Sequence, residues 1–117
     1  MDHVITHIEI PAPDMKGITD FYTKVFGWQI MYDENYSLFR IGNTNTGGGF
    51  DASAKPAADK TGPGLVINVE DIPAKLEEIK AAGGKVVMEK TEIAGGHGFY
   101  AKFTDCCGNP MQVWSKT

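Results

Sequence analysis

One order of segments occurs twice in this chain: a short alternating stretch, an amphipathic helix, then three more alternating stretches. Asp14 and Asp71 stand 57 residues apart, and so do Gly27 and Gly84. Each aspartate is placed to cap a helix and each glycine to end one. A chain patterned this way predicts an α+β fold of two βαβββ modules. Each half-sheet would pack its apolar face on its own helix, and the polar faces would curl around one shared cleft. At 117 residues the whole reads as a single domain, with module one at 1–52, a linker at 53–63 and module two at 64–117.

Module one opens with a strand over Val4–Ile10. Side chains alternate along a strand, so Val4, Thr6, Ile8 and Ile10 share the core face while Ile5, His7 and Glu9 share the other. An imidazole two residues from a carboxylate suits a wetter face, so His7 and Glu9 are expected to look into a site. Pro11-Ala12-Pro13 stops the strand. Ile18, Phe21, Tyr22, Val25 and Phe26 then recur at helical spacing up to Gly27. Trp28–Tyr32 and Tyr36–Ile41 read as an antiparallel pair turning at Asp33-Glu34-Asn35. Gly47–Asp51 reads as a fourth strand whose glycines allow a neighbour or ligand to come close.

Residues 52–64, rich in Ala, Lys, Pro, Asp and Gly without period, read as the connection. In module two Leu65, Ile67 and Val69 alternate with Val66 and Asn68. A helix follows through Ile72, Leu76 and Ile79, ending at Gly83-Gly84. Strands are expected over Lys85–Ile93, Phe99–Thr104 and Pro110–Trp114, with turns at Ala94–Gly98 and Asp105–Asn109.

Several functions are disfavoured by composition. A net charge of −4 argues against phosphate backbones and anionic membranes as partners. No apolar run approaches the ~18–20 residues of a membrane span, and no charged-then-apolar leader opens the chain, so a cytoplasmic location is expected. Cys106 and Cys107 are adjacent and read as two reduced turn residues, since neighbouring cysteines close only a strained ring. The run Gly47-Gly48-Gly49 lacks the Lys-Ser or Lys-Thr of a phosphate loop.

The order of segments, with Thr6-His7-Ile8-Glu9-Ile10-Pro11, Phe21–Trp28, Lys90-Thr91-Glu92-Ile93 and Asp105-Cys106-Cys107-Gly108-Asn109-Pro110, resembles the vicinal oxygen chelate superfamily. That superfamily includes glyoxalase I, bleomycin-resistance proteins and extradiol dioxygenases. The chain looks most like a short subgroup related to lactoylglutathione lyase, apart from Cys106, where proline is usual. The resemblance implies a divalent metal held by four side chains and acting on a substrate's vicinal oxygens. By position those side chains fall at His7, Gly49, Gly64 and Gln112. Two are glycines and one is a neutral amide, so only His7 is a strong ligand. The acids between Asn35 and Val69 are Asp51 and Asp59, and a shifted set of His7, Glu9, Asp51 and Gln112 is the alternative.

Other candidates follow from parity and type. Glu9 would serve as a general base beside His7 or fix its tautomer. Phe39, Phe50, Tyr100 and Trp114 would line an apolar pocket, with Asn68 and Gln112 as polar groups. Core packing competes for the first two. His97, in a glycine-flanked turn, would lie at the cleft mouth. Lys75–Lys80 reads as a solvated helix face.

Three functions compete. The first is a small-molecule-binding protein without a cofactor, resembling the bleomycin-resistance branch. A lyase or isomerase of the glyoxalase I type, using nickel, zinc or iron, is the second. The third is a non-catalytic interaction module. The missing ligands favour the first over the second, and the polar pair His7 and Glu9 favours either over the third. A homodimer is expected, because superfamily members built of two short modules usually pair and exposed sheet edges gain by being covered.

Overall fold

The computed structural model describes residues 2–57 and 62–117. Asp59 and part of the expected linker lie outside the described residues. The chain divides into two compact units, Met1–Pro56 and Ala57–Thr117. Both have the expected βαβββ order, and the class is α+β.

In the first unit β1 (His7–Pro11) is followed by α1 (Met15–Phe26), β2 (Gln29–Met31), β3 (Tyr36–Arg40) and β4 (Gly47–Asp51). The strands form one mixed sheet in the order β1-β4-β3-β2. β1 lies parallel to β4, and the other two pairings are antiparallel. The first strand is shorter than its apolar pattern suggests. β4 begins at Gly47, opposite His7, so Val4–Thr6 run beyond their partner; Thr6 keeps one bond, its carbonyl accepting from the Gly47 amide. Val4 and Ile5 are exposed rather than divided between core and cleft.

α1 starts where Asp14 accepts a hydrogen bond from the Gly17 amide, 3.0 Å away. It stops at Gly27, whose φ of 67° is left-handed and suits a residue without a Cβ. Its stripe of Met15, Ile18, Phe21, Tyr22 and Val25 is buried. The core continues into stacked rings: Tyr22 on Trp28 at 4.6 Å, Trp28 on Phe39 at 4.8 Å, Tyr22 on Phe50 at 5.4 Å. Burying each such ring contributes roughly 1.5–3 kcal/mol. With the expected parity of β1 intact, Ile10 points into this core and His7 and Glu9 point away.

The second unit repeats the plan. β5 (Val66–Asn68), α2 (Ile72–Ala81), β6 (Lys85–Glu92), β7 (Phe99–Thr104) and β8 (Pro110–Ser115) give the strand order β5-β8-β7-β6. Asp71 caps α2 by accepting from the Ala74 amide. Ile72, Leu76 and Ile79 are buried, as are Ala101, Phe103, Met111 and Val113 on the sheet. The turn between β7 and β8 is organised by Asp105, 2% exposed. Its carboxylate accepts from the amides of Cys107 and Asn109 and from Asn109 Nδ2, at 2.9–3.0 Å. Cys106 and Cys107, both half-buried in this turn, are reduced.

Candidate functional site

Three cross-strand rows build the open face of the first sheet. His7, Gly47, Arg40 and Gln29 form one, and Glu9, Gly49, Leu38 and Met31 the next. Pro11, Asp51 and Tyr36 form the third. Residues two apart share a face, so all three rows point the same way. The middle of this face is glycine, and a neighbour takes the space. A Cβ placed on Gly49 would run into the Tyr36 ring and hydroxyl. Tyr36 therefore leans across β4, over Gly49, toward β1.

There its hydroxyl donates to Glu9 Oε2 at 2.7 Å and lies 2.8 Å from His7 Nε2. The two rings are nearly parallel, with centroids 6.5 Å apart. A phenol has one proton, and here Glu9 receives it. The phenol oxygen must then accept from His7, which places a proton on Nε2. His7 Nε2 and Glu9 Oε2 are 3.4 Å apart, with both side chains about half exposed. The bond to Glu9, then burial and the Glu9 charge, hold the Tyr36 hydroxyl in its protonated form, with its pKa pushed up to about 12. The arrangement is a proton-linked triad on an open sheet face. It can present an oriented imidazole to a ligand.

Tyr36 was not among the residues singled out from the sequence. Its role depends on the register of β3 against β4 and on the bare Gly49 between. The available signal was a tyrosine beginning one strand beside a glycine-rich partner strand.

Asp51 shares the open face but is committed to its own turn. Its Oδ1 accepts from both the amide and the hydroxyl of Ser53, which draws its pKa below the usual carboxylate value. Phe50 does not belong with the site: as its neighbours Gly49 and Asp51 face outward, it faces inward and is 0% exposed. Phe39, 5% exposed, is core for the same reason.

The remaining candidates lie in the second unit. Gln112 pairs with Val66 on one side and Lys102 on the other, and Trp114 with Asn68 and Tyr100, so all six share one face of that sheet. Trp114 Nε1 donates to the His97 carbonyl at 2.8 Å, tying the indole to the turn before β7, and the His97 side chain is exposed. Gln112 occupies the space beside Gly64: a Cβ there would stand 2.6 Å from its Nε2.

These residues do not make a divalent-metal centre. Among the described residues no three His, Cys, Asp or Glu side chains come together. Gly49 and Gly64 supply no donor, and the volumes their side chains would need hold Tyr36 and Gln112. His7 and Glu9 alone fall short of the three or four ligands such sites use.

Comparison with known proteins is consistent along the whole chain. The profile of the Glyoxalase/Bleomycin resistance protein/Dioxygenase superfamily matches residues 4–113. A glyoxylase-like domain-containing protein of Didymella fabae is 29% identical, over 96% of this chain and 93% of its own length. The anthracycline biosynthesis protein DnrV of Streptomyces peucetius is 26% identical over 92% of this chain, which spans only 45% of that protein. Among solved structures, the fosfomycin resistance protein FosX of Listeria monocytogenes, in complex with Mn(II) and sulfate, superposes with a TM-score of 0.80. It covers 100% of this chain and 93% of its own, at 18% identity. That similarity is one of fold.

Proposed function

We propose that this chain, which belongs to the Glyoxalase/Bleomycin resistance protein/Dioxygenase superfamily, is a small-molecule-binding member that works without a metal. The observation that carries the reading is Tyr36. Its ring takes the volume a ligating side chain at position 49 would need, and its hydroxyl joins Glu9 to His7. A carboxylate and an imidazole linked through a phenol are arranged for hydrogen bonding to an organic molecule rather than for wrapping a cation. On this reading the protein is a binding or sequestering protein, pairs as a homodimer through an exposed sheet edge, and resides in the cytoplasm.

The test is elemental analysis of untagged protein from cells grown with nickel, zinc, iron and manganese, together with a thermal-shift screen of small organic compounds. Substoichiometric metal and at least one compound whose stabilisation is lost in His7→Ala are expected. An equivalent of metal per chain, lost in His7→Ala, would overturn the reading in favour of a metal-dependent lyase or isomerase. Sedimentation at micromolar concentration should give twice the 12.7 kDa chain mass; a lone monomer would remove the homodimer.

A further inference from the structure

The chain has ten lysines but a single arginine, Arg40, and it stands on the open face of the first sheet. Arg40 and His7 flank Gly47 in one cross-strand row. Gly47 has no side chain, so the floor between guanidinium and imidazole is bare backbone spanning two strand spacings, about 9.6 Å. Thr6, Thr44, Asn45 and Thr46 close a pocket of about 330 Å³ around this floor. The hydroxyl protons of Thr44 and Thr46 go to backbone carbonyls, those of Ile41 or Thr46 and of Ile5. The His7 Nε2–H is already given to Tyr36, so the side-chain donors left in the lining are the Arg40 guanidinium, the Asn45 amide and the Thr6 hydroxyl.

Charge decides what fits. No Asp or Glu lines this pocket, although the protein carries a net charge of −4. Among the described residues no carboxylate pairs with Arg40. A guanidinium with no carboxylate partner among the described residues, at the side of a pocket free of carboxylates, matches an oxyanion, which it can grip with two parallel hydrogen bonds. A second depression of about 700 Å³ shares Leu38 and Arg40 with the first and continues over Gln29 and Met31. Leu38 and Met31 are 49% and 73% exposed. Arg40 thus marks the junction of a polar pocket and an apolar strip.

We propose that Arg40, with the Asn45 amide in the same pocket, receives the oxyanion of an amphipathic small organic acid whose apolar body lies over Leu38 and Met31. This rests on the binding reading above and names the class of ligand. The head is a carboxylate or a phosphate, which share this chemistry.

Calorimetric titration of the intact protein with 2-naphthoate, 2-naphthyl phosphate and neutral 2-naphthamide tests it. At least one anion should bind roughly tenfold or more tighter than the amide, as charge-assisted bonds require. The tighter of the two anions identifies the head. Arg40→Gln should erase the preference for charge, and Met31→Ala should weaken all three ligands alike. Amide binding as tight as either anion, mapped by amide NMR shifts to Gly47 and Gly48, would overturn the oxyanion site while leaving a binding protein. Failure of all three probes to bind would overturn this proposal; a metal equivalent in the same sample would then remove the binding reading as well. If a second copy of the chain covers the strip instead, the wild-type dimer will not bind naphthoate and Met31→Lys will turn dimer into monomer, which also overturns it.

Discussion

Removing one oxygen atom tests the triad most directly. Tyr36→Phe keeps the ring over Gly49 but deletes the hydroxyl that donates to Glu9 and accepts from His7. The Tyr36 pKa near 12, against an ordinary value of 10.0, means that the folded state holds the phenol proton more tightly than the unfolded chain. Stability from this source is therefore fully present below pH 10 and is lost as the pH rises from 10 to 12. Two units correspond to ~2.7 kcal/mol without screening. Glu9 and His7 are about half exposed, so solvent reduces the effect to about 1 kcal/mol. Urea unfolding at pH 8 should show Tyr36→Phe less stable by that amount, with the gap closing above pH 10. A spectrophotometric titration, wild type minus variant, should show the missing tyrosine ionising near pH 12, and Glu9→Gln should bring it down. If the variant matches wild type in urea and the difference spectrum titrates at the ordinary value, the triad does not hold in solution.

Gly49→Ala should cost ~1–3 kcal/mol as the new methyl group displaces the Tyr36 ring, and much less in a Tyr36→Ala background. Additive losses in a double-mutant cycle would contradict the contact. Phe50→Ala should cost ~3–5 kcal/mol in urea unfolding, since the ring is wholly buried against Tyr22, Trp28 and Phe39. A loss below ~1 kcal/mol would put Phe50 back on the open face. Asp105→Ala should cost roughly 2–4 kcal/mol, because three donors in the β7–β8 turn lose a buried acceptor. Near-neutral behaviour in thermal unfolding would show that the turn is held otherwise.

What the sequence made legible has a physical pattern. Helix ends were readable because Asp14, Gly27 and Asp71 act through local bonds within a few residues. The outward aim of His7 and Glu9 was readable because a strand's period is two. Phe50 was misplaced because three glycines precede it and leave no alternation from which to take parity. The length of β1 was overestimated because the partner that ends it lies about 40 residues away in β4. Tyr36 escaped for a related reason. Its contacts exist only once β1, β4 and β3 lie side by side, so no local pattern announces them. Arg40 gained its meaning in the same way, from its position opposite Gly47.

The placing of β4 between β1 and β3 also bears on how the molecule is made. A ribosome adding roughly 5–20 residues per second needs several seconds to pass from His7 to Gly47. Hairpins close in microseconds, so β2 and β3 can pair while β1 still has no neighbour. Only when the glycine strand slides into the gap do the imidazole, the carboxylate and the phenol meet. The strand with the weakest intrinsic preference for its conformation is thus the one that completes the binding face. A nascent or partly opened first unit lacking that strand would expose Ile8 and Ile10 and would have no triad. Ligand capture would then report that the last strand is home, and a bound ligand would act as a clasp on the step that finishes the fold.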